Sequence, residues 1–230
     1  MQLTNIQVAK ILFSTFEMTE LKSTGKSERF WNNVSKRFGN SNRSMSSPAL
    51  QFIKQNADNY FKPTDRILDI GCGPGDITLE LARKTKEVFA TDISEGMIEA
   101  ATQKADERNY KNIQFIRTDL SDNSFQPYSF DVITAFNMLQ YVPDKKILIG
   151  KIFELLKPQG LFLSSTACLR ERKSFLRFTL AGLTTLNIVP EIGKYTTPEL
   201  EKEIEESGFT IIEASDISKV PERLIIAKKG

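Results

Sequence analysis

Ile67-Leu68-Asp69-Ile70-Gly71-Cys72-Gly73-Pro74-Gly75-Asp76 decides how the rest of the chain is read. A short apolar run meets three glycines at alternate positions, and helix-forming sequence begins directly after them. Glycines there let the backbone turn sharply and let a ligand lie against bare amides at a helix amino terminus. A plain strand-to-helix turn has the same look, so spacing must separate the readings. The dinucleotide fingerprint G-x-G-x-x-G needs its third glycine where this chain has Asp76. An acid at that place sits badly with a pyrophosphate, because like charges repel in a partly desolvated crevice. The motif present, D-x-G-x-G-x-G, suits a ligand that brings no phosphate.

Outward from this junction, short apolar runs alternate with amphipathic stretches. The runs cover 66–70, 87–91, 112–117, 130–135 and 160–165, with helical sequence near 76–85, 95–108 and 144–157. Such alternation predicts successive βα units. Right-handed crossovers bring the carboxyl ends of the strands to one edge, where ligands bind in open sheets. Two last runs, 209–214 and 223–228, are expected to pair as the final strands. The predicted fold is α/β, a Rossmann-like, doubly wound, seven-stranded and mostly parallel sheet with helices on both faces.

The amino-terminal part reads as a helical lid. Residues 1–22 offer an irregular apolar face through Leu3, Ile6, Ile11, Leu12 and Phe16, and 22–28 read as a connection. A short helix is expected around Phe30, Val34 and Phe38, ending at Gly39, before an Asn- and Ser-rich loop over 39–47. Ser47-Pro48 opens a helix through about Tyr60. Past the fifth strand, 168–190 read as an apolar helical insertion, and Thr197-Pro198 as the cap of a helix running to about Ser207. One domain spans 1–230: lid helices over 1–61, a ligand-binding βα core over 62–166, a substrate-side insertion over 167–196, and a carboxyl-terminal helix and strand pair over 197–230.

Composition narrows the chemistry. The 31 basic and 29 acidic residues give a net charge of +2, which offers no case for a nucleic-acid-coating surface. Histidine is absent, so an imidazole base or a histidine-ligated metal is excluded. Cys72 and Cys168 have no metal-ligand spacing, and a reducing cytoplasm is the simplest compartment for them. Neither a secretory signal nor a transmembrane segment is expected from the pattern of apolar residues.

At this point the chain resembles the class I S-adenosylmethionine (SAM)-dependent methyltransferases, from about residue 50 onward. The glycine loop matches that family's first motif, and four further elements follow in order, each at a strand end. They are Val88 to Ser94, Ile113 to Leu120, Ser129 to Asp144, and Leu155 to Leu163. The resemblance implies SAM as cofactor and S-adenosyl-L-homocysteine as product. It implies cofactor-binding roles for Asp69, Gly71, Cys72, Gly73, Gly75, Asp92, Ile93, Met97, Asp119, Leu120, Phe136 and Asn137. Within that set, Asp69 reaches the SAM ammonium, and Asp92 accepts from both ribose hydroxyls. Asp119 accepts from the adenine amino group, and the Leu120 amide donates to the ring. Each acid also has a structural alternative: Asp92 as a helix cap, Asp119 as a turn residue, Asp69 as part of the core. Asp131 is expected to support the turn into its strand, and Cys72 to fill space between the glycines.

Quinone-type members of that family carry a histidine just after the fourth strand, where this chain reads Leu139-Gln140-Tyr141. A general base is optional in methyl transfer, and the candidates left are Tyr141, Tyr195, Asp144 and Glu191. Phe30, Trp31 and Phe38 are expected to line the lid side of the cleft, or else to pack as core. Arg170, Arg172, Lys173 and Arg177 face either an anionic acceptor or water. Phe175, Phe178, Leu183, Leu186 and Ile188 read as a greasy acceptor pocket, a surface brushing a membrane, or ordinary core. The expected activity is methylation of a small, lipophilic acceptor. The alternatives are a protein or RNA methyltransferase, a nicotinamide-dependent oxidoreductase, and a SAM-binding protein that does not catalyse.

Overall fold

In a computed structural model of the chain, residues 25–36, 47–120, 124–168, 196–218 and 222–230 are described. The expected helix over 1–22, the stop at Gly39 and the insertion beyond Cys168 lie outside these residues.

Helix α1 spans Gly25–Ser35 and α2 spans Pro48–Tyr60. Strand β1, Arg66–Ile70, runs through the glycine loop into α3, Asp76–Ala82. Strand β2 (Glu87–Asp92), α4 (Glu95–Glu107) and β3 (Ile113–Arg117) follow, then β4 (Phe130–Phe136). A 3-10 turn at Leu139–Tyr141 leads to α5 (Lys145–Leu155) and β5 (Leu156–Ala167). Helix α6 (Thr197–Glu206), β6 (Phe209–Asp216) and β7 (Glu222–Lys229) complete the described chain.

The seven strands form one sheet in the order β3-β2-β1-β4-β5-β7-β6. The first five pair in parallel, while β7 runs antiparallel between β5 and β6. Successive residues of a strand face opposite sides, so doubly buried strands need apolar residues at every position. Leu68, Phe89, Ile133 and Phe162 accordingly face α5 and α6, with Ile149, Ile152, Leu200 and Ile204. Their neighbours Ile67, Val88, Val132 and Leu163 face α2 and α3, with Ile53 and Leu81. The order of β1 and β4 places neighbouring crossovers on opposite sides, which opens a crevice at their carboxyl ends.

Helix starts follow capping chemistry. Ser47 caps α2, Ser94 caps α4 and Asp144 caps α5, each accepting from an amide three residues on. The fifth strand, expected over 160–165, runs from Leu156 to Ala167 because α5 stops at Leu155 rather than 157. Two expected helix starts also need correction. Helix α1 begins at Gly25, inside the segment read as a connection, and Arg29 Nε donates back to Gly25 O at 2.6 Å. The cap of α6 is Thr196 rather than Thr197-Pro198. Thr196 and Glu199 form a reciprocal capping box, which leaves Pro198 inside the first turn where its missing N–H costs nothing.

Asp131 supports the start of the parallel core. Its Oδ2 accepts from Arg66 N–H at 2.9 Å, and Lys157 Nζ lies 2.8 and 2.9 Å from its two oxygens. All of this sits at the amino end of β4, away from the crevice. Asp131→Ala is expected to destabilise the chain by about 1–3 kcal/mol in urea unfolding, by orphaning a strand amide, with ligand affinity unchanged. A loss of ligand affinity at unchanged stability would contradict this assignment.

Candidate active site

The crevice has a volume of about 270 Å³ and lies on the glycine loop, the ends of β2, β3 and β4, the 3-10 turn and α1. The three loop glycines all have positive φ, at 68° for Gly71, 53° for Gly73 and 82° for Gly75. Their neighbours give each a separate reason. A Cβ at Gly71 would lie 2.8 Å from Met138 Cβ, and one at Gly75 would lie 2.9 Å from Ala101 Cβ. A Cβ at Gly73 would meet nothing within 4 Å, so this glycine leaves open space beside the crevice.

Two buried carboxylates hold the loop. Asp69, only 2% exposed, accepts from Thr78 Oγ1 at 2.6 Å and from Thr134 Oγ1 at 2.7 Å. One charge thus ties β1 to α3 and to β4. Burial pushes its pKa up from 3.8 to about 6, against the lowering effect of both hydroxyls, with Asp92 adding repulsion. Asp92, at the end of β2, accepts from Gly73 N–H at 3.0 Å through one oxygen and from Ser94 N–H at 2.9 Å through the other. It does not cap α4, because Ser94 Oγ does so. Burial raises the Asp92 pKa too, while these amides lower it.

Asp76 stands at the first position of α3 and is paired with Lys104 of α4, whose Nζ lies 3.1 Å from each oxygen. Its charge is therefore largely neutralised, so the case against a pyrophosphate rests on the whole lining rather than on Asp76 alone. Among the described lining residues are five aspartates, at 69, 76, 92, 119 and 144, and no lysine or arginine. A crevice of that sign repels phosphates and attracts cations.

The remaining expected residues are distributed as follows. Gly71, Cys72, Ile93, Met97, Asp119, Leu120, Phe136 and Asn137 all line the crevice. Cys72 anchors the loop by donating its N–H to Thr91 O at 2.9 Å, and burial pushes its thiol pKa well up. Leu120 has φ 63°, and its N–H donates to Thr118 Oγ1 at 3.0 Å. Asn137, at φ 55°, shapes the end of β4, and its side-chain amide donates to Glu222 of β7 at 3.1 Å. Among the base candidates, Tyr141 packs edge-on against Trp31 with centroids 5.1 Å apart. Burial raises its hydroxyl pKa, which suits a hydrogen-bond donor rather than a base. Asp144 lines the crevice but spends one oxygen on the α5 cap, at 3.2 Å from Ile147 N. Tyr195 and Glu191 lie outside the described residues, as do Phe38 and the basic and apolar side chains of 170–188. Phe30 is set back from the crevice, stacked edge-on against Trp31.

Sequence reasoning missed the threonines that clamp Asp69, the Lys104 partner of Asp76, and Thr91. Thr91 lines the crevice, and its hydroxyl is buried within the fold. Together, the open face of Gly73 and a lining with five aspartates and no described lysine or arginine fit a cationic nucleoside without phosphate.

Comparison with known proteins agrees with the geometry. A family model described as a methyltransferase domain matches residues 61–209. The ubiquinone biosynthesis O-methyltransferase of Neisseria meningitidis is 30% identical over 178 residues, covering 74% of this chain and 72% of that protein. The demethylmenaquinone methyltransferase of Symbiobacterium thermophilum is 33% identical over 130 residues, 55% of this chain and 50% of that one. A SAM-dependent methyltransferase of Methanosarcina mazei superposes with a TM-score of 0.63 at 25% identity, over 75% of this chain and 96% of that one. The fold is shared also with geranyl diphosphate C-methyltransferase of Streptomyces coelicolor, at a TM-score of 0.72 and 14% identity, over 90% and 99% of the two chains. The fold and the crevice are those of a class I methyltransferase. The chain belongs to the methyltransferase-domain family and is a SAM-dependent enzyme.

The Asp69 site carries its own pH signature. Its folded pKa lies above the free value, so the folded state holds an extra proton between about pH 4 and 6. The stability this group contributes is full below about pH 4 and is lost as pH rises through about 6. In Asp69→Asn the amide can accept from one threonine and donate to the other, so the fold is kept and the titration removed. Urea midpoints measured from pH 4 to 7 are expected to show wild type losing ground to this variant as pH rises. A constant difference between the two would contradict a raised Asp69 pKa.

Proposed function

We propose that this enzyme methylates a small, lipophilic, uncharged ring of the quinol or phenol type, and that it works in the cytoplasm. The observation that carries the reading is the apolar part of the crevice lining. Trp31, Met138, Tyr141, Val142, Pro143 and Leu148 supply it, with Asp144 among them. The two curated relatives reported above are named for quinone methylation, which supports the same class. The absence of described lysine or arginine in the lining disfavours an anionic acceptor, and near-neutral net charge disfavours RNA. A lipophilic acceptor would be met at a membrane surface; no helix among the described residues is long and apolar enough to cross one.

In this reading the chain works as one domain with the divisions given above: lid over 1–61, cofactor core over 62–166, acceptor side over 167–196, and terminal helix and strands over 197–230. Asp92 takes the ribose hydroxyls on the lone pairs its two amides leave free, and Asp69 stabilises the cofactor's ammonium from behind the loop. Asp119 takes the adenine amino group. Bound SAM supplies a sulfonium methyl already activated for in-line displacement. What the protein adds is alignment and exclusion of water, worth up to about 7–11 kcal/mol in ideal cases. Tyr141 orients the acceptor by donating from a hydroxyl that burial keeps protonated.

Two measurements test this. Asp92→Ala, which also frees the Gly73 and Ser94 amides, is expected to weaken SAM binding at least a hundredfold by calorimetry while the chain stays folded. Wild type with methyl-labelled SAM is expected to label a catechol bearing a short prenyl tail, and not RNA or protein from the same extract. Label found only in macromolecules, or never leaving SAM, would overturn the acceptor assignment.

A further inference from the structure

Helix α1 is tied to the carboxylate assigned to the sugar by a short chain of hydrogen bonds. Asn32 Oδ1 accepts from the Ser94 hydroxyl at 2.6 Å and from Gly96 N–H at 3.3 Å. Ser94 in turn donates its N–H to Asp92 Oδ1 at 2.9 Å, while its hydroxyl oxygen caps α4 by accepting from Met97 N–H at 3.2 Å. Ser94 is therefore shared between the lid and the acid, and Asn32 sets its side chain.

The contact is close as well as polar. A Cβ at Gly96 would lie 2.2 Å from Ser35 Oγ and 3.2 Å from Ser35 Cβ, so the last turn of α1 rests on the first turn of α4 only because Gly96 has no side chain. Glu28 of α1 pairs with Arg117 at the end of β3, and Arg117 Nε donates to Ile93 O at 3.3 Å. Every one of these contacts lands on the segment 92–96 or on the strand end beside it. Trp31, one residue before Asn32, then lies against Tyr141 across the crevice.

We propose that Asn32 is a positioning residue for the cofactor: it seats α1 on α4, fixes Ser94 and through it Asp92, and so holds Trp31 over the bound nucleoside. This rests on the assignment of Asp92 to the ribose. A helix that merely packed there would have no reason to place the Asn32 carbonyl oxygen on the residue that also donates to Asp92. The latch acts on retention: with it released, the cofactor leaves faster, because both the wall and the acid lose their fixed positions.

Trp31 is the only tryptophan of the chain, so its fluorescence reports from the crevice wall alone. In stopped-flow experiments on the full chain, Asn32→Ala is expected to raise the SAM dissociation rate and Kd about tenfold, the loss of one to two net hydrogen bonds. Ser94 Oγ still caps α4 through Met97 while the Gly96 amide loses its acceptor, so the melting temperature is expected to fall by no more than about 5 °C. Asn32→Asp keeps an oxygen acceptor at the amino terminus of α4 and is expected to restore both constants to within about threefold. Gly96→Val, which wedges the helices apart without altering a hydrogen-bonding side chain, is expected to behave like Asn32→Ala. Wild type that binds SAM while Asn32→Ala and Gly96→Val release it at the wild-type rate overturns the proposal alone, as does failure of Asn32→Asp to restore. Wild type that binds no SAM in calorimetry overturns the cofactor assignment and this proposal with it.

Discussion

The Asp69 carboxylate is the point on which the rest of the molecule turns. It is a charge almost wholly removed from water, and such a group is tolerated only when its lone pairs are filled. Thr78 and Thr134 fill them, and in doing so they fix the first turn of α3 and the middle of β4 relative to β1. The glycine loop between β1 and α3 then has no freedom to drift. Met138 and Ala101 leave no room for side chains at its two ends, and Asp92 takes hold of its middle through Gly73 N–H. The architecture supplies the edge of the sheet; these two acids turn that edge into a crevice of defined shape.

The sign of the crevice follows from the same residues. Aspartates are gathered there to hold backbone and hydroxyls, and they leave a lining with acids and no described base. The one acid at a position where dinucleotide sites have glycine, Asp76, is matched by Lys104, so it serves packing between α3 and α4. Selection among cofactors is thus a property of the whole field rather than of one repulsive side chain. A sulfonium nucleoside is attracted by that field, and a pyrophosphate is not.

Much of this was legible in the sequence, and the exceptions have physical reasons. Strands β1 to β4 could be placed within a residue or two because each is a short apolar run set among helical stretches, and the central ones are buried on both faces. The acids at 69, 92 and 119 could be picked out because they lie at or near the carboxyl ends of these runs, which a parallel sheet brings to one edge. Thr78 and Thr134 could not, since they meet Asp69 across 9 and 65 residues and carry no local pattern. Position β7 between β5 and β6 is likewise a matter of tertiary pairing, in which Leu161 to Ala167 meet Lys228 to Glu222 in reverse. The start of α1 was set too late because Lys26, Ser27 and Glu28 have no apolar spacing; the helix is held by Glu28 on Arg117 and Asn32 on Ser94, contacts made only in the folded chain.

A crystal structure of the chain with S-adenosyl-L-homocysteine tests the central claim most directly. The account predicts the two sugar hydroxyls within hydrogen-bond distance of the Asp92 carboxylate, the ligand's amino-acid end against the loop from Gly71 to Gly75, and Asp69 still held by both threonines. A ligand bound elsewhere, or seated in the crevice with its sugar turned away from Asp92, would contradict it.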